Sequence, residues 1–267
     1  MRRGAPLRGG QYKEVRGLSR GVSVLRAMNQ MAGGMGSITE IARASGIHRT
    51  TVKRLLETLR AEGLVDQKED DGLYALTFEV RRLSEGYVGT AWIDRIAAPA
   101  MFARLRELSW PSDLATPDGG FMVVRESTHR GSMLSQHRSM IGVRIPMLVS
   151  ALGRAWLVAC SEEEREATLA LLRGRDDALG ELARDGAYVR RILAATRRRG
   201  YARNDGEWAP EAEFSAVAMP LLQASRAVGA VNLVFPREAV SQREIEGRYV
   251  PALRALALDI SARIDAD

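Results

Sequence analysis

The 267-residue sequence predicts an α+β protein, with a helical N-terminal unit followed by a larger unit in which helices flank an antiparallel sheet. Three observations support this fold class. Apolar residues recur at helical spacing between residues 18 and 59, short apolar strands alternate with amphipathic helices after residue 110, and the composition is 46% hydrophobic and 27% charged. That composition is typical of a globular chain long enough for two domains.

No apolar run reaches the roughly 18 residues that a membrane helix needs, and the first residues lack the apolar core of a secretory signal. We therefore expect a cytoplasmic protein with no membrane partner.

Two helices are predicted before residue 46. The first lies in "RGLSRGVSVLRAMNQM", where one apolar stripe is formed by Leu18, Val22, Leu25 and Met28. The second lies in "ITEIARAS". Ser37 and Glu40 have the spacing of a capping box at its start, and Gly46 ends it.

A third predicted helix begins after His48 and ends at Gly63, and its buried face is formed by Val52, Leu55, Leu56 and Leu59. This order gives a short helix, a tight turn with glycine, and a longer helix whose first turns are basic. Such an arrangement is typical of proteins that place the longer helix in the major groove of DNA. We predict double-stranded DNA as a partner, contacted by His48, Arg49, Thr50, Thr51, Lys53 and Arg54. Two roles stay open for His48, a hydrogen bond to the helix start or a phosphate contact.

Strand-like runs on either side of Asp71-Gly72 predict a hairpin directly after the third helix. This hairpin completes a winged helix-turn-helix DNA-binding domain at residues 15–77. The turn residues 69–71 are acidic, so we expect Lys68 or the strand flanks to make any phosphate contact there.

The distribution of charge supports a partner that is a polyanion. Residues 1–62 hold 12 of the 39 Lys and Arg but only 4 of the 33 Asp and Glu, a local excess of eight positive charges. The rest of the chain holds 27 basic and 29 acidic residues and is nearly neutral. The basic N-terminal unit and the neutral body are therefore expected to have different partners.

After residue 110 the pattern predicts alternating strands and helices. "FMVVRES" and "SMLSQHR" are predicted to be strands joined by a turn at Arg130-Gly131, and "FSAVAMPLL" and "AVGAVNLVF" form a second predicted pair. A buried helix is predicted in "MLVSALGRAWLVAC" after Pro146, and further helices are predicted from Ser161, near Asp185 and in "SQREIEGRYVPALRALALDISARI". This order fits an α+β sensor domain.

The sequence contains no phosphate-binding loop, serine-nucleophile motif, zinc-protease motif or paired cysteines. His129 and His137 fall on predicted strands, where a charged strand edge explains them, and their spacing specifies no metal or acid–base site. Cys160 in "AWLVAC" is expected to be a small core residue. We predict no catalytic activity, no metal and no cofactor.

Six stretches together resemble IclR-type bacterial transcription regulators. In the N-terminal part they are "VRGLSRGVSVLRAM", "ITEIARASGIHRTTVKRLLETLRAEGLV" and "YALTFEVRRLSEG". In the body they are "RIPMLVSALGRAWLVAC", "RRRGYARNDGEWAPEAEFSAVAMPLL" and "AVGAVNLVFP". Within the family the chain looks most like an activator of hydroxyphenylpropionate catabolism.

The resemblance implies a GAF-like effector-binding domain, a homodimer or homotetramer, and a roughly palindromic operator. The resemblance also sets the remaining domain boundaries. We expect a flexible basic arm at residues 1–14, a linker helix at residues 78–91, and an effector-binding and oligomerisation domain at residues 92–267.

Carried over by position, the resemblance also implies an effector pocket formed by Ser150, Ala151, Leu152, Asn204, Asp205, Trp208, Ala216, Asn232 and Val234. Several family members have Cys where this chain has Ala216, and Ser where it has Asn232 and Val234. The loss of these polar groups, together with Trp208, favours an aromatic acid over a small keto acid. For the carboxylate of the effector, His137, Arg138 and the backbone N–H groups at the start of the buried helix all stay open.

We therefore predict a ligand-responsive regulator of an operon for the catabolism of an aromatic or phenylpropanoid-type acid. The alternatives are a regulator that responds to a small non-aromatic organic acid and a DNA binder without an effector.

Overall fold

The computed structural model describes residues 14–68, 71–83, 91–135 and 140–266. The chain divides into two units, Met1–Tyr87 and Val88–Asp267, called here the N-terminal and the C-terminal unit. The predicted basic arm up to residue 13, residues 84–90 of the predicted linker helix, and both His137 and Arg138 lie outside the described residues.

The described part of the N-terminal unit consists of four α-helices, three short strands and a 3-10 turn at Ala32–Gly34. The helices and strands are α1 Arg16–Asn29, β1 Met35–Gly36, α2 Ile38–Ser45, α3 Arg49–Ala61, β2 Val65–Gln67, β3 Tyr74–Leu76 and α4 Glu79–Arg82. The strand β3 pairs antiparallel with both β1 and β2, which gives a three-stranded sheet in the order β1-β3-β2. Periodicity did not predict β1, because a two-residue strand is too short to show alternation.

Local sequence signals set the ends of α2. Ser37 accepts a hydrogen bond from the Glu40 N–H at 3.3 Å, and Glu40 accepts one from the Ser37 N–H at 2.8 Å, so the predicted capping box is confirmed. At the other end, Gly46 has φ 68°, which a residue without a side chain adopts at no steric cost. The chain can therefore turn sharply into α3.

The apolar stripe predicted for α1 is wrong in part. Met28 is fully buried in one cluster with Val24, and Leu25 packs against that cluster as predicted, whereas Leu18 is 67% exposed and Val22 is 38% exposed. Because α1 carries apolar residues on two sides, sequence spacing alone cannot tell which side packs against α2 and α3.

The C-terminal unit is built on a six-stranded antiparallel sheet of order β6-β5-β4-β9-β8-β7. Its strands are β4 Asp113–Asp118, β5 Phe121–Ser127, β6 Arg144–Pro146, β7 Ala202–Asp205, β8 Phe214–Gln223 and β9 Arg226–Pro236. Its helices are α5 Ala98–Leu108, α6 Ala151–Ala159, α7 Glu162–Arg173, α8 Ala178–Arg184, α9 Gly186–Arg199, α10 Gln242–Glu244 and α11 Val250–Ala266, with π-helical turns at Ile93–Ala97 and Ile245–Tyr249. The predicted α+β fold class is confirmed.

Helices cover both faces of this sheet, and strand alternation assigns the residues to each face. Along β9, Val231 and Leu233 pack into the cluster that includes α5 and α11, while Ala230 belongs to the cluster that includes α6 and α9. The α6 face therefore also receives Asn232 and Val234. Among the described residues no helix is both long and apolar enough to cross a membrane.

The prediction of a strand in "SMLSQHR" is wrong over its described residues. His129–Gly131 forms a 3-10 turn, and residues 132–135 continue in turns without sheet pairing. Since β5 already pairs with β4 on one side and β6 on the other, no sheet edge is open to a strand there. The buried helix begins at Ala151, later than predicted, because Pro146 ends β6 and Ser150 caps the helix.

Gly153 lets the first turn of α6 lie directly against the preceding chain. A Cβ atom at this position would lie 2.1 Å from the Met147 carbonyl oxygen, so Gly153→Ala should force the backbone apart and lower the free energy of unfolding by about 1–3 kcal/mol or more. Gly17→Ala in α1, where a Cβ meets nothing within 4 Å, should be neutral or stabilising by less than about 1 kcal/mol. Chemical denaturation measures both changes, and equal stabilities of the two variants would contradict the close approach.

Cys160 lies in the core at the end of α6, as the sequence predicts. Burial raises the pKa of its thiol from 9.0 to about 11. At pH 8 we therefore expect a thiol-specific reagent to leave the folded protein unlabelled and to label the denatured protein. Between about pH 9 and 11 the thiol ionises in the unfolded chain first, so the free energy of unfolding should fall as the pH rises. Rapid labelling of the folded protein at pH 8 would show that Cys160 is accessible.

Candidate functional site

The exposed side of α3 concentrates basic and hydroxyl side chains. On its other side Val52 and Leu56 are fully buried against residues of α1 and α2, which fixes the orientation of the helix. The six predicted DNA-contacting residues all lie at its start, with Thr51 half-buried and the others exposed: His48, Arg49, Thr50, Thr51, Lys53 and Arg54. Within the described parts of the chain, the three basic side chains at positions 49, 53 and 54 form no ion pair. This face is therefore electropositive and open to an anionic partner.

His48 occupies the N-cap position of α3, and its carbonyl oxygen accepts a hydrogen bond from the Val52 N–H at 3.0 Å, but its side chain makes no capping hydrogen bond. Its Nδ1 atom lies 3.0 Å from the Thr50 hydroxyl oxygen. The imidazole thus contacts the helix start through a neighbouring side chain rather than through the main chain.

The strands behind α3 are tied to it by side-chain hydrogen bonds. Tyr74, which is buried, donates from its hydroxyl to Glu57 Oε1 at 2.8 Å, and burial together with Glu57 raises the pKa of Tyr74. Thr77 donates to the Gly63 carbonyl oxygen at 2.6 Å. These contacts hold β3 against the helix, while Lys68 stays exposed at the start of the hairpin turn.

A cavity lies between the sheet and α6 in the C-terminal unit. The space in it that the centre of a water molecule can occupy is about 50 Å³, and all of the empty space out to the open mouth, solvent included, is about 500 Å³. Eight of the residues predicted for the effector pocket line it: Ser150, Ala151, Leu152, Asn204, Trp208, Ala216, Asn232 and Val234. Residues from α6, β7, β8 and β9 are therefore brought together although they span more than 80 positions of the sequence.

Much of the cavity wall is apolar. Besides Leu152 and Trp208, it contains Met140, Ile145 and Phe214, which the sequence analysis did not select. These three residues come from segments whose pairing depends on distant parts of the chain, so no local pattern identifies them.

The start of α6 forms one polar part of the wall. Ser150 accepts a hydrogen bond from the Gly153 N–H at 3.1 Å and donates to the Pro146 carbonyl oxygen at 2.7 Å. Ala151 and Leu152 lie in the first turn of α6, where no carbonyl oxygen of the same helix can accept a hydrogen bond from their N–H groups. Together with the helix dipole, they give this end of the cavity a positive potential.

Arg154 attaches the loop after β7 to α6. The guanidinium is buried, and it donates to the Leu148 carbonyl oxygen at 3.0 Å, to the Arg203 carbonyl oxygen at 2.6 Å and to Glu207 Oε1 at 2.8 Å. Asn204 donates to the Val149 carbonyl oxygen beside them. Trp208 follows Glu207 directly, so these bonds position the aromatic wall of the cavity.

Asp205 does not line the cavity, unlike its neighbours in the predicted set. Its carboxylate accepts a hydrogen bond from the Ser215 hydroxyl and lies 3.3 Å from Arg203 and 3.7 Å from Arg237. Burial raises the pKa of Asp205, but Ser215 and the two guanidinium groups outweigh this effect and lower it. The prediction of Asp205 as a pocket residue is therefore not supported by its position.

A second polar part of the wall was missed by the sequence analysis. Asp113, at the start of β4, is 1% exposed, and His129, in the turn after β5, is 3% exposed. The His129 Nε2 atom lies 3.5 Å from Asp113 Oδ2, and Nδ1 lies 2.6 Å from the Ser135 hydroxyl. Asn232 Oδ1 accepts a hydrogen bond from the Asp113 N–H at 2.6 Å. The expectation that His129 lies at a charged strand edge is thus wrong, because the turn after β5 buries it.

The chain matches two known domain families. Residues 17–69 match the IclR helix-turn-helix domain, and residues 86–262 match the C-terminal domain of the bacterial transcriptional regulator IclR. Together the matches cover most of both units.

Individual relatives extend over nearly the whole chain. The HTH-type transcriptional regulator XynR of Escherichia coli K12 is 27% identical over 232 residues, which is 86% of this chain and 90% of XynR. The glycerol operon regulatory protein of Streptomyces coelicolor is 27% identical over 268 residues, which is 96% of this chain and 97% of that protein. A crystal structure of an IclR homologue from Microbacterium hydrocarbonoxydans, complexed with 4-hydroxybenzoate, is 21% identical with a TM-score of 0.60 and covers 94% of this chain and 100% of that chain.

The two matched ranges include the helix-turn-helix with its basic surface and the body that contains the cavity beside α6. The chain belongs to the IclR family of bacterial transcriptional regulators, with a DNA-binding N-terminal domain and an effector-binding C-terminal domain.

Proposed function

We propose that this regulator responds to an aromatic or phenylpropanoid-type acid and controls an operon for its catabolism. The observation that carries the proposal is the cavity under α6, which combines an apolar wall with a helix start that attracts anions. An apolar ring fits against Trp208, Leu152 and Phe214, and its carboxylate fits at the N–H groups of α6. His137 and Arg138 are alternative partners for that carboxylate.

Relatives of known function do not supply the identity of the effector. XynR and the Streptomyces glycerol regulator carry different names at the same 27% identity, so neither name transfers to this chain. The Microbacterium homologue was crystallised with 4-hydroxybenzoate, which makes this compound and its neighbours suitable first probes. The resemblance to activators of hydroxyphenylpropionate catabolism points to the same group of compounds.

On the DNA side, we propose that α3 enters the major groove of operator DNA in the cytoplasm. Arg49, Lys53 and Arg54 can pair with guanine edges or phosphates, and the hydroxyl groups of Thr50 and Thr51 can donate a hydrogen bond to either. His48, placed beside Thr50, is suited to a phosphate. The uncompensated positive charge of this face supports the assignment, because phosphates supply most of the affinity in such complexes.

We also propose that the protein acts as a homodimer or homotetramer. Leu18 and Val22 form an apolar strip on the outer side of α1 with Val15, which is 68% exposed. A second copy that covers this strip would remove apolar area from water and place two α3 helices on a palindromic operator. An effector could then act by binding one arrangement of the copies more tightly than the other.

Replacement of the basic side chains of α3 tests the DNA assignment. Arg49→Ala and Lys53→Ala should each weaken binding to an operator fragment, by about 1–3 kcal/mol where the side chain makes a bidentate base contact. Fluorescence anisotropy at fixed salt measures the effect. Arg60→Ala is the matched control, because Arg60 lies at the far end of α3 beside Glu57 and Asp66 and should leave the affinity unchanged. If the unmodified protein and the three variants bind the operator fragment with equal affinity, the basic face of α3 is not part of the DNA interface.

Thermal unfolding with candidate acids tests the effector assignment. At a hundredfold excess over its dissociation constant, a bound acid should stabilise the protein by about 2.7 kcal/mol, which corresponds to a rise in Tm of about 5–10 °C. We expect this rise with benzoates or phenylpropionates and none with benzamide, because benzamide lacks the charge that the α6 start attracts. A response to pyruvate or glyoxylate alone would support a small non-aromatic effector instead. No response to any acid would favour a DNA binder without an effector.

A further inference from the structure

The polar wall formed by Asp113 and His129 lies in the same cavity as the α6 start. Both side chains are almost completely buried, although charged groups in protein interiors are costly unless they have partners. Strand pairing places them together, since Asp113 is in register with Ser127 and His129 follows two residues later. The fold therefore maintains a buried carboxyl group in a cavity that the half-buried Glu211 also lines.

The contacts of the Asp113 carboxyl group are unequal. Oδ1 accepts a hydrogen bond from the Ser127 hydroxyl at 2.7 Å. Oδ2 has longer contacts, at 3.5 Å to His129 Nε2 and 3.5 Å to Asn232 Nδ2. Contacts of that length are at the limit of a hydrogen bond. An oxygen atom with such contacts can accept a short hydrogen bond from a molecule in the cavity.

The two polar walls have opposite preferences. The α6 start offers N–H donors and a positive dipole end, so it attracts a carboxylate. Asp113 disfavours a carboxylate and favours a group that donates a hydrogen bond. A ligand with an acid group at one end and a hydroxyl group at the other satisfies both walls, whereas the reverse orientation would bring two carboxyl groups together.

We infer that the effector carries a hydroxyl group in addition to its carboxylate, and that Asp113, positioned by His129, Asn232 and Ser127, accepts the hydrogen bond of that hydroxyl. Asp113 is then a specificity-determining residue that separates hydroxylated aromatic acids from their unhydroxylated analogues. The inference rests on the proposed function, since it requires an aromatic acid in this cavity. The discrimination arises because an analogue without the hydroxyl leaves the buried acceptor without a new partner.

Two pairs of ligands test the inference on the unmodified protein. They are 4-hydroxybenzoate with benzoate, and 3-(3-hydroxyphenyl)propionate with 3-phenylpropionate, and titration calorimetry gives each dissociation constant. The hydroxylated member of at least one pair should bind at least roughly tenfold more tightly. This comparison needs no variant, so it does not depend on whether an altered protein folds.

Asp113→Asn then tests the residue itself. In this variant the Ser127 hydroxyl is expected to go on donating its hydrogen bond to the amide oxygen. The amide NH₂ group then takes the position of Oδ2, the oxygen proposed to accept the hydrogen bond of the effector. The hydroxylated acid should lose most of its advantage, while the affinity for the unhydroxylated acid changes by less than about threefold. Asp118→Asn is the matched control, because Asp118 lies in the same strand, is half-exposed beside Arg144 and does not line the cavity. It should keep the full preference.

The outcomes separate this inference from the proposed function. If each pair binds with equal affinity, or if folded Asp113→Asn keeps the full preference, the role of Asp113 is overturned while the aromatic effector stands. If none of the four acids binds, both are overturned.

Discussion

The geometry of the cavity beside α6 depends on one buried guanidinium group. Arg154 joins the chain before α6, the end of β7 and the loop that carries Trp208, through two carbonyl oxygens and the carboxylate of Glu207. A buried charge is stable only when its hydrogen-bonding groups are satisfied, so these partners cannot move independently. The consequence is a wall of fixed shape beside a helix start whose N–H groups remain available.

Close approach of α6 to its surroundings reinforces this constraint. Gly153 permits backbone contact with Met147, and the small side chains of Ala218 and Ala230 lie on the sheet face that α6 covers. Near Ala216, Asn232 and Val234 the same face borders the cavity. The helix is thus packed tightly along most of its length and leaves space near its start, which is where its dipole can act on a ligand.

Much of the fold could be predicted because its signals are local. The Ser37–Glu40 box, the glycine at position 46 and the apolar spacing of α3 each involve residues within a few positions of one another. The same holds for the Ser161–Glu164 capping box at the start of α7. Those features depend on the chain alone and not on what it packs against.

The parts that could not be predicted depend on distant pairing. The residues near Asp113 show no clear alternation, and the side chain enters the cavity only because β4 lies between β5 and β9. His129 belongs to a segment with strand-like composition, but the neighbouring sheet positions are already occupied. The comparison by position with the family identified Asn232 but not Asp113. Their side chains meet although they are 119 residues apart in the sequence, so no local pattern shows that Asp113 lies beside Asn232.

Arginine has different roles in the two units. For this reason the composition of the chain could only suggest the function. At the start of α3, exposed arginine side chains form no ion pair with a carboxylate of any residue that the structure describes, so their charge is available to a partner. In the C-terminal unit, Arg154 and Arg165 are buried and donate to the carbonyl oxygens of their own chain, so their charge is spent on holding the fold. An arginine contributes to recognition where packing exposes it and to architecture where packing encloses it. The excess of positive charge in the first 62 residues is therefore informative because the leucines and valines beneath α3 keep it at the surface.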